Sequence, residues 1–91
     1  MKTYTFHQDP GHGWLEVPVT DLQELGLSIG DFTKYPYRRG ENVYLEEDLD
    51  AGVFVNAYEA MHGQEVKYRS QYTDYDSPIR SYARLPGYSP E

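Results

Sequence analysis

The chain has 91 residues, of which 15 are acidic and eight are lysine or arginine, so its formal net charge is −7. This length is enough for one small domain, and we expect residues 1–91 to form a single one. Because there is no cysteine, disulfide frameworks, thiolate metal sites and thiol nucleophiles are excluded. No apolar run approaches the roughly 18 residues of a membrane helix, and the start lacks a signal-peptide segment. These features predict a cytoplasmic protein without a membrane partner.

The negative charge is concentrated in the middle of the chain. Between Arg39 and Lys67 there is no lysine or arginine, whereas the rest of the chain holds equal numbers of acids and bases. Such a run is usually a solvated face that keeps a small domain soluble. It is also suited to a basic protein partner, and it should repel nucleic acid. The acids of this segment are Glu41, Glu46, Glu47, Asp48, Asp50, Glu59 and Glu65.

The N-terminal third predicts a β-hairpin followed by a short helix. Residues 2–8 and 14–17 alternate as strands do, and the turn-forming residues 9–13 join them. Thr20 and Gln23 fit a capping box, which predicts a helix that is capped by Thr20, runs to about Leu25 and stops at Gly26.

The middle of the chain predicts a second hairpin and the main helix. Strands are expected at residues 32–38 and 43–46, around a turn that contains Gly40. Pro36 has no N–H to donate, so its strand should lie at a sheet edge or contain a bulge. Asp48 or Asp50 should cap the helix, which is expected to end near Met61.

The C-terminal third predicts one clear strand and a less regular tail. Residues 66–72 alternate, and residues 73–78 have the composition of a loop. Residues 79–85 could form one helical turn or a short edge strand, and residues 86–91 should be a frayed tail. The order ββαββαβ predicts an α+β domain in which two helices cover one face of a small antiparallel or mixed sheet.

Ten tyrosines are many for a domain of this size. Those that the strand and helix patterns place on inner faces are Tyr4, Tyr44, Tyr58, Tyr68 and Tyr72. The others are harder to bury, and tyrosine is common at protein interfaces. This second group consists of Tyr35, Tyr37, Tyr75, Tyr82 and Tyr88.

No pattern in the sequence identifies a catalytic, cofactor or metal site. His7, Asp9 and His12 have a metal-like composition, but they need a turn to converge and lack an obvious third strong ligand. The acids at residues 46–50 do not match a calcium-binding loop. We therefore predict no catalytic residue, no metal and no cofactor. A small metal-dependent nuclease, or a hydrolase that uses the His12 loop, is the alternative.

The acids at residues 46–50 are spaced so that they could imitate nucleic acid. Carboxylates two residues apart on a strand lie about 6.6 Å from each other, and those three or four apart on a helix lie about 5–6 Å apart. A strand end that leads into a helix start would present a row of negative charges to a groove built from Lys and Arg.

Three segments resemble a group of small uncharacterised proteins carried by phages, prophages and plasmids: DPGHGWLEV at residues 9–17, YRRGENVYLEEDLDA at 37–51 and SPIRSY at 77–82. The resemblance covers about residues 3–85. The group has no established catalytic residues, so the resemblance implies a biological setting and no mechanism. Small acidic phage proteins include inhibitors of bacterial defence, among them anti-CRISPR proteins that occupy the nucleic-acid site of an effector complex.

Together these observations predict a non-enzymatic inhibitor in the bacterial host cytoplasm, either a monomer or a small homo-oligomer. Its partner would be a host or defence protein with a basic surface, such as a CRISPR–Cas effector subunit. A structural or accessory phage protein that self-associates is a further alternative. The residues predicted to contact the partner are Glu41, Tyr44, Glu46, Glu47, Asp48, Asp50 and Glu59.

Overall fold

The computed structural model describes residues 2–28, 31–32, 36–47, 50–75 and 77–84. The strands are β1 (Thr3–Gln8), β2 (Gly13–Pro18), β3 (Tyr37–Arg39), β4 (Asn42–Glu46), β5 (Lys67–Tyr72) and β6 (Ala83–Arg84). The helices are α1 (Val19–Glu24) and α2 (Asp50–His62), and a 3₁₀ turn spans Pro78–Ser81.

The described strands form one six-stranded mixed sheet in the order β5-β1-β2-β4-β3-β6. β5 is parallel to β1, and all the other neighbours are antiparallel. β4 and β5 also run in the same direction. α2 connects them in a strand–helix–strand crossover, which is the long connection that strands of the same direction need. The α+β class, the mixed sheet and the two helices agree with the sequence prediction. The region expected to be a helical turn or an edge strand contains both.

The main core lies on the side of the sheet where the two helices pack. Inward-facing residues of β1, β2 and β4 alternate with residues of the opposite face, which is the two-residue period of a strand. α2 seals this core through Phe54, whose ring meets that of Tyr4 edge-on at 5.2 Å between centroids. The buried members of this cluster are Tyr4, Leu15, Val17, Leu22, Val43, Leu45, Phe54 and Tyr58.

A second, smaller core lies on the opposite face of the sheet, which we call the second face. Trp14, Tyr44 and Ile79 are buried there, and Tyr37 and Tyr82 pack against them half-buried. The segment 77–82 therefore covers part of this face with the 3₁₀ turn. Burial of the single tryptophan, Trp14, depends on this cover.

The prediction that Thr20 caps α1 is wrong. The helix begins at Val19, its N-cap is Pro18, and that cap makes no side-chain hydrogen bond. The N–H of Val19 is already satisfied by the carbonyl of Glu41 at 2.8 Å, so the helix can start directly where β2 ends. The predicted stop at Gly26 is confirmed, since Gly26 has φ of 74° and a positive φ favours glycine.

The second hairpin is shorter than expected. Its first strand contains only Tyr37–Arg39 of the predicted 32–38, and Phe32 lies in a bend. β3 lies between β4 and β6 rather than at an edge, which is possible because Pro36 precedes the strand. The predicted strand residues 33–35, the tail 86–91 and Tyr88 lie outside the described part of the chain.

The predictions of tyrosine burial succeed for three residues and fail for two. Tyr4, Tyr44 and Tyr58 are buried as expected. Tyr68 and Tyr72 lie on the helix side of the sheet, as expected, but they are 59% and 60% exposed, so the prediction that they are buried is wrong. Both belong to β5, which has β1 as its one neighbour among the described strands.

Candidate functional site

The residues that follow β1, β4 and β5 meet at one end of the sheet, because these three strands run in the same direction. Two backbone hydrogen bonds join the segments there. The N–H of Glu47 donates to the carbonyl of Gly13 at 3.0 Å, and that of Thr73 donates to Gln8 at 2.8 Å.

The Asp9 carboxylate organises this end of the sheet. Its side chain is buried, with 2% of the residue exposed. Oδ1 accepts the N–H groups of Gly11 at 3.0 Å and His12 at 2.9 Å, and Oδ2 accepts the N–H of Ser77 at 2.9 Å. A carboxylate only accepts hydrogen bonds, so an aspartate suits a place where three backbone donors converge. Asp9 thus holds the β1–β2 turn against segment 77–82.

The two histidines near this turn have different partners. Nε2 of His7 lies 2.7 Å from Oε1 of Glu16 on the second face of the sheet. Nδ1 of His12 lies 3.6 Å from Oε2 of Glu46. His7, Asp9 and His12 therefore do not converge. Within the described residues, no group of three or more His, Asp or Glu side chains is placed to hold a metal ion.

Two of the predicted contact residues lie together at this end of the sheet. Glu46 is the last residue of β4 and is half-buried beside His12, and Glu47 follows it and is exposed. Their backbone positions are fixed by pairing with β2, where Trp14 opposes Glu46. Asp48 lies outside the described residues.

The other predicted contact residues are placed elsewhere or are buried. Asp50, the first residue of α2, is 1% exposed, and Tyr44 is 7% exposed. Glu41 is exposed in the β3–β4 turn, at the opposite end of β4 and about 20 Å from Glu47 at the usual rise of a strand. Glu59 is half-buried on α2. The acidic segment is thus divided between two ends of the sheet and a helix.

The buried Tyr44 is held in its neutral form. Burial, followed by the negative charge of Glu16, raises the pKa of Tyr44 to about 12. Its ring packs against those of His7 and Tyr82, at centroid distances of 5.7 and 5.1 Å. This environment indicates a packing role on the second face.

Sequence reasoning missed Asp74 and Tyr72 at the same end, whereas it had already placed Tyr75 among the tyrosines that are hard to bury. Asp74 is exposed, and Tyr72 and Tyr75 are 60% and 72% exposed. All three end β5 or follow it directly. The signal was available, because the order strand, helix, strand at residues 43–72 is typical of a parallel crossover, which places the carboxyl ends of β4 and β5 at one end of the sheet.

We call Glu46, Glu47 and Asp74 the acidic end. Several described basic side chains lie at the other end of the strands. Lys2 precedes β1, Lys67 begins β5 and Arg39 ends β3. Nζ of Lys2 is also bound to Asp21 at 2.9 Å. Glu41 and Asp21 also lie at that other end, so it carries charges of both signs, whereas Glu46, Glu47 and Asp74 give the acidic end its negative charge.

No protein-family model matches the chain, and searches of curated proteins and of solved structures return no match. Among the described residues, no helix is both long enough and apolar enough to cross a membrane. A functional assignment therefore depends on the residues and geometry of this chain.

Proposed function

We propose that this protein is a non-enzymatic inhibitor of a bacterial defence protein, encoded by a phage or another mobile element. It acts in the host cytoplasm, and an anti-CRISPR protein is the form of inhibitor that we favour. It binds the basic, nucleic-acid-binding surface of its target through the acidic end. The supporting observation is that Glu46, Glu47 and Asp74 share one end of the sheet, while the other end carries charges of both signs, Lys2, Arg39 and Lys67 together with Glu41 and Asp21.

The width of the acidic end suits such a target. β4 and β5 are separated by three strand spacings in the sheet, or about 14 Å. The DNA major groove is about 12 Å wide. Carboxylates from the two strand ends could therefore reach cationic side chains arranged to contact phosphates on both sides of a groove, and the attraction would also accelerate association.

Exposed tyrosines next to these acids add contact area. Tyr72 and Tyr75 flank Asp74 in sequence and are both mostly exposed. Tyrosine contributes a large contact surface at low entropic cost and is enriched among energetically important interface residues. The acidic end thus combines charge, which steers association, with aromatic surface, which stabilises a complex. The resemblance of residues 9–17, 37–51 and 77–82 to phage, prophage and plasmid proteins supports the proposed setting.

The test uses two triple variants with the same net charge. Glu46→Lys/Glu47→Lys/Asp74→Lys reverses the acidic end, and Glu24→Lys/Glu41→Lys/Glu65→Lys reverses three exposed acids elsewhere. Three replacements of an acid by lysine change the net charge by +6, from −7 to −1, in both proteins. Circular dichroism and thermal unfolding first establish that both variants fold.

Inhibition is then measured with purified CRISPR–Cas effector complexes of several types, as loss of target DNA binding. We expect the wild type and the second triple variant to block DNA binding by one of these effectors, and the acidic-end variant to lose at least tenfold in potency. Inhibition that survives reversal of the acidic end contradicts the proposed surface. An absence of inhibition across the effectors contradicts the proposed function.

A further inference from the structure

β5 is an exposed strand at the edge of the sheet. All six of its residues are exposed, and β1 is its one neighbour among the described strands. An edge strand presents a row of N–H and C=O groups that can pair with another strand. β5 contains no proline and no acidic residue, although Lys67 and Arg69 are charges of the kind that often protect an edge.

The direction of the outward backbone groups can be derived from one hydrogen bond. The N–H of Thr73 donates to the carbonyl of Gln8 in β1 at 2.8 Å. Along an extended strand, successive residues direct their N–H and C=O groups to alternate sides. The backbone groups of Tyr68, Ser70 and Tyr72 therefore point away from β1.

The side chains along β5 divide into an aromatic face and a basic face. Tyr68 pairs with Tyr4 and Ser70 pairs with Phe6, so Tyr68, Ser70 and Tyr72 are on the side of the sheet that the helices cover. Arg69 is on the other side. The large apolar and aromatic side chains that are exposed in the described chain are Met61, Tyr68, Tyr72 and Tyr75. Three of these four belong to β5 or follow it within three residues.

We propose that two copies of this chain pair through β5, antiparallel, about a twofold axis at Ser70. In this register Ser70 opposes Ser70 of the second copy, and Tyr68 opposes Tyr72 of the second copy. The outward N–H groups of Tyr68, Ser70 and Tyr72 then face outward carbonyls, which gives about six hydrogen bonds across the pair. Two directly opposed tyrosine pairs form on the helix side, and such cross-strand aromatic pairs stabilise sheets.

The charges favour this register over the neighbouring register in which the twofold axis lies at Arg69. Pairing about Ser70 places Arg69 opposite Gln71 of the second copy, so no two like charges are directly opposed. Pairing about Arg69 would place the two Arg69 side chains against each other, which is destabilising. A twofold pairing of this kind is self-complementary, as a closed dimer interface requires.

Pairing through β5 leaves Glu46 and Glu47 of the acidic end accessible, whereas Asp74 and Tyr72 lie at the paired strand. β4, which carries Glu46, is three strand spacings from β5. Because the paired strands are antiparallel, the acidic ends of the two copies point in opposite directions. The dimer would have two separate acidic ends, and the inference does not depend on the function proposed for them.

Sedimentation equilibrium over about 1 to 500 μM protein tests the pairing. We expect a concentration-dependent dimer for the wild type. Ser70→Pro removes an outward N–H that β1 does not use, a place where an edge strand tolerates proline, and should raise the dimer dissociation constant at least tenfold. Ser70→Ala keeps that N–H and should retain the dimer. If Ser70→Pro fails to fold, Ser70→Lys places like charges on the twofold axis and should give the same loss of dimer.

Cross-linking locates the interface. Since the chain has no cysteine, Ser70→Cys introduces a single thiol, and a short bismaleimide should join two copies through it. Gln23→Cys, at an exposed position on α1, is the matched control and should give little cross-linked dimer. A wild type that is monomeric throughout the concentration range overturns the proposal. A dimer that persists in both Ser70→Pro and Ser70→Lys overturns it as well.

Discussion

The buried carboxylate of Asp9 accepts the backbone N–H of Ser77 at 2.9 Å, so one side chain joins residues that are 68 positions apart. Its other oxygen closes the β1–β2 turn through Gly11 and His12. Asp9 therefore fixes both the turn beside the acidic end and the start of the segment that covers Trp14. Two features that are remote in sequence depend on the same carboxylate.

We expect Asp9→Asn to destabilise the protein by about 1–3 kcal/mol, the cost of leaving a buried polar group without its partner. An amide has one oxygen acceptor, and its NH₂ group would face a backbone donor. Urea denaturation measures the change in the free energy of unfolding. Asp74→Asn, at an exposed position, is the control and should change it by less than about 0.5 kcal/mol. Equal effects of the two substitutions would contradict the role of Asp9.

Local sequence patterns predicted the elements better than their arrangement. The alternation at residues 2–8 and the stop at Gly26 depend on neighbouring residues, and the structure confirms both. Exposure of Tyr68 and Tyr72 depends on β5 being an edge strand. Alternating residues predict that a strand has two different faces. The crossover through α2, however, determines which strand lies beside β5. The same limit explains Thr20, whose predicted capping role is displaced by the contact between Val19 and Glu41.

The candidate site was predictable in part for the same reason. Glu46 and Glu47 are adjacent in sequence and lie together, whereas Glu41 is at the other end of β4 because a strand separates them. Asp74 comes to the same end as Glu46 through the parallel direction of β5. A count of acids along the chain therefore identified a charged segment, and the topology decided which of its charges lie together.

Gly13 lies where the backbone comes too close to its neighbours for a side chain. A Cβ at this position would overlap the ring of Phe6 and lie 2.8 Å from Oε1 of Glu47. We expect Gly13→Ala to destabilise the protein by about 1–3 kcal/mol through overpacking. Gly52 in α2 has no such neighbour within 4 Å, so Gly52→Ala should stabilise it by about 0.5–1 kcal/mol. Thermal unfolding distinguishes them, and a shift of both melting temperatures in the same direction would refute this explanation.

Stability should decrease at alkaline pH because of Tyr44. Burial, and then the charge of Glu16, raises the pKa of Tyr44 from 10.0 to about 12 in the folded protein. The contribution of Tyr44 to the free energy of unfolding is fully present below pH 10, where Tyr44 is protonated in both the folded and the unfolded state. It is lost as the pH rises from 10 to 12, because the unfolded chain releases the proton first. Urea unfolding at pH 9, 10 and 11 should show this decline.

Tyr44→Phe should reduce that decline. Part of it will remain, because burial and the hydrogen bond to Asp21 also raise the pKa of Tyr4 well above its usual value. Tyr75→Phe is the control, since that side chain is 72% exposed. The assignment to Tyr44 is wrong if both single variants lose stability with pH as steeply as the wild type.

Ile79 should determine how well water is excluded from Trp14. The two side chains are buried together on the second face, at 2% exposure each. Ile79→Ala should cost about 2–4 kcal/mol, because it removes buried methyl groups and leaves a cavity. It should also shift the fluorescence emission of the native protein to longer wavelength, and that emission has one source because the chain has one tryptophan.

Val55→Ala, which changes a half-buried residue against the main core, should destabilise the protein without moving the native emission. If Ile79→Ala leaves both the emission and the stability unchanged, segment 77–82 does not cover this face in solution.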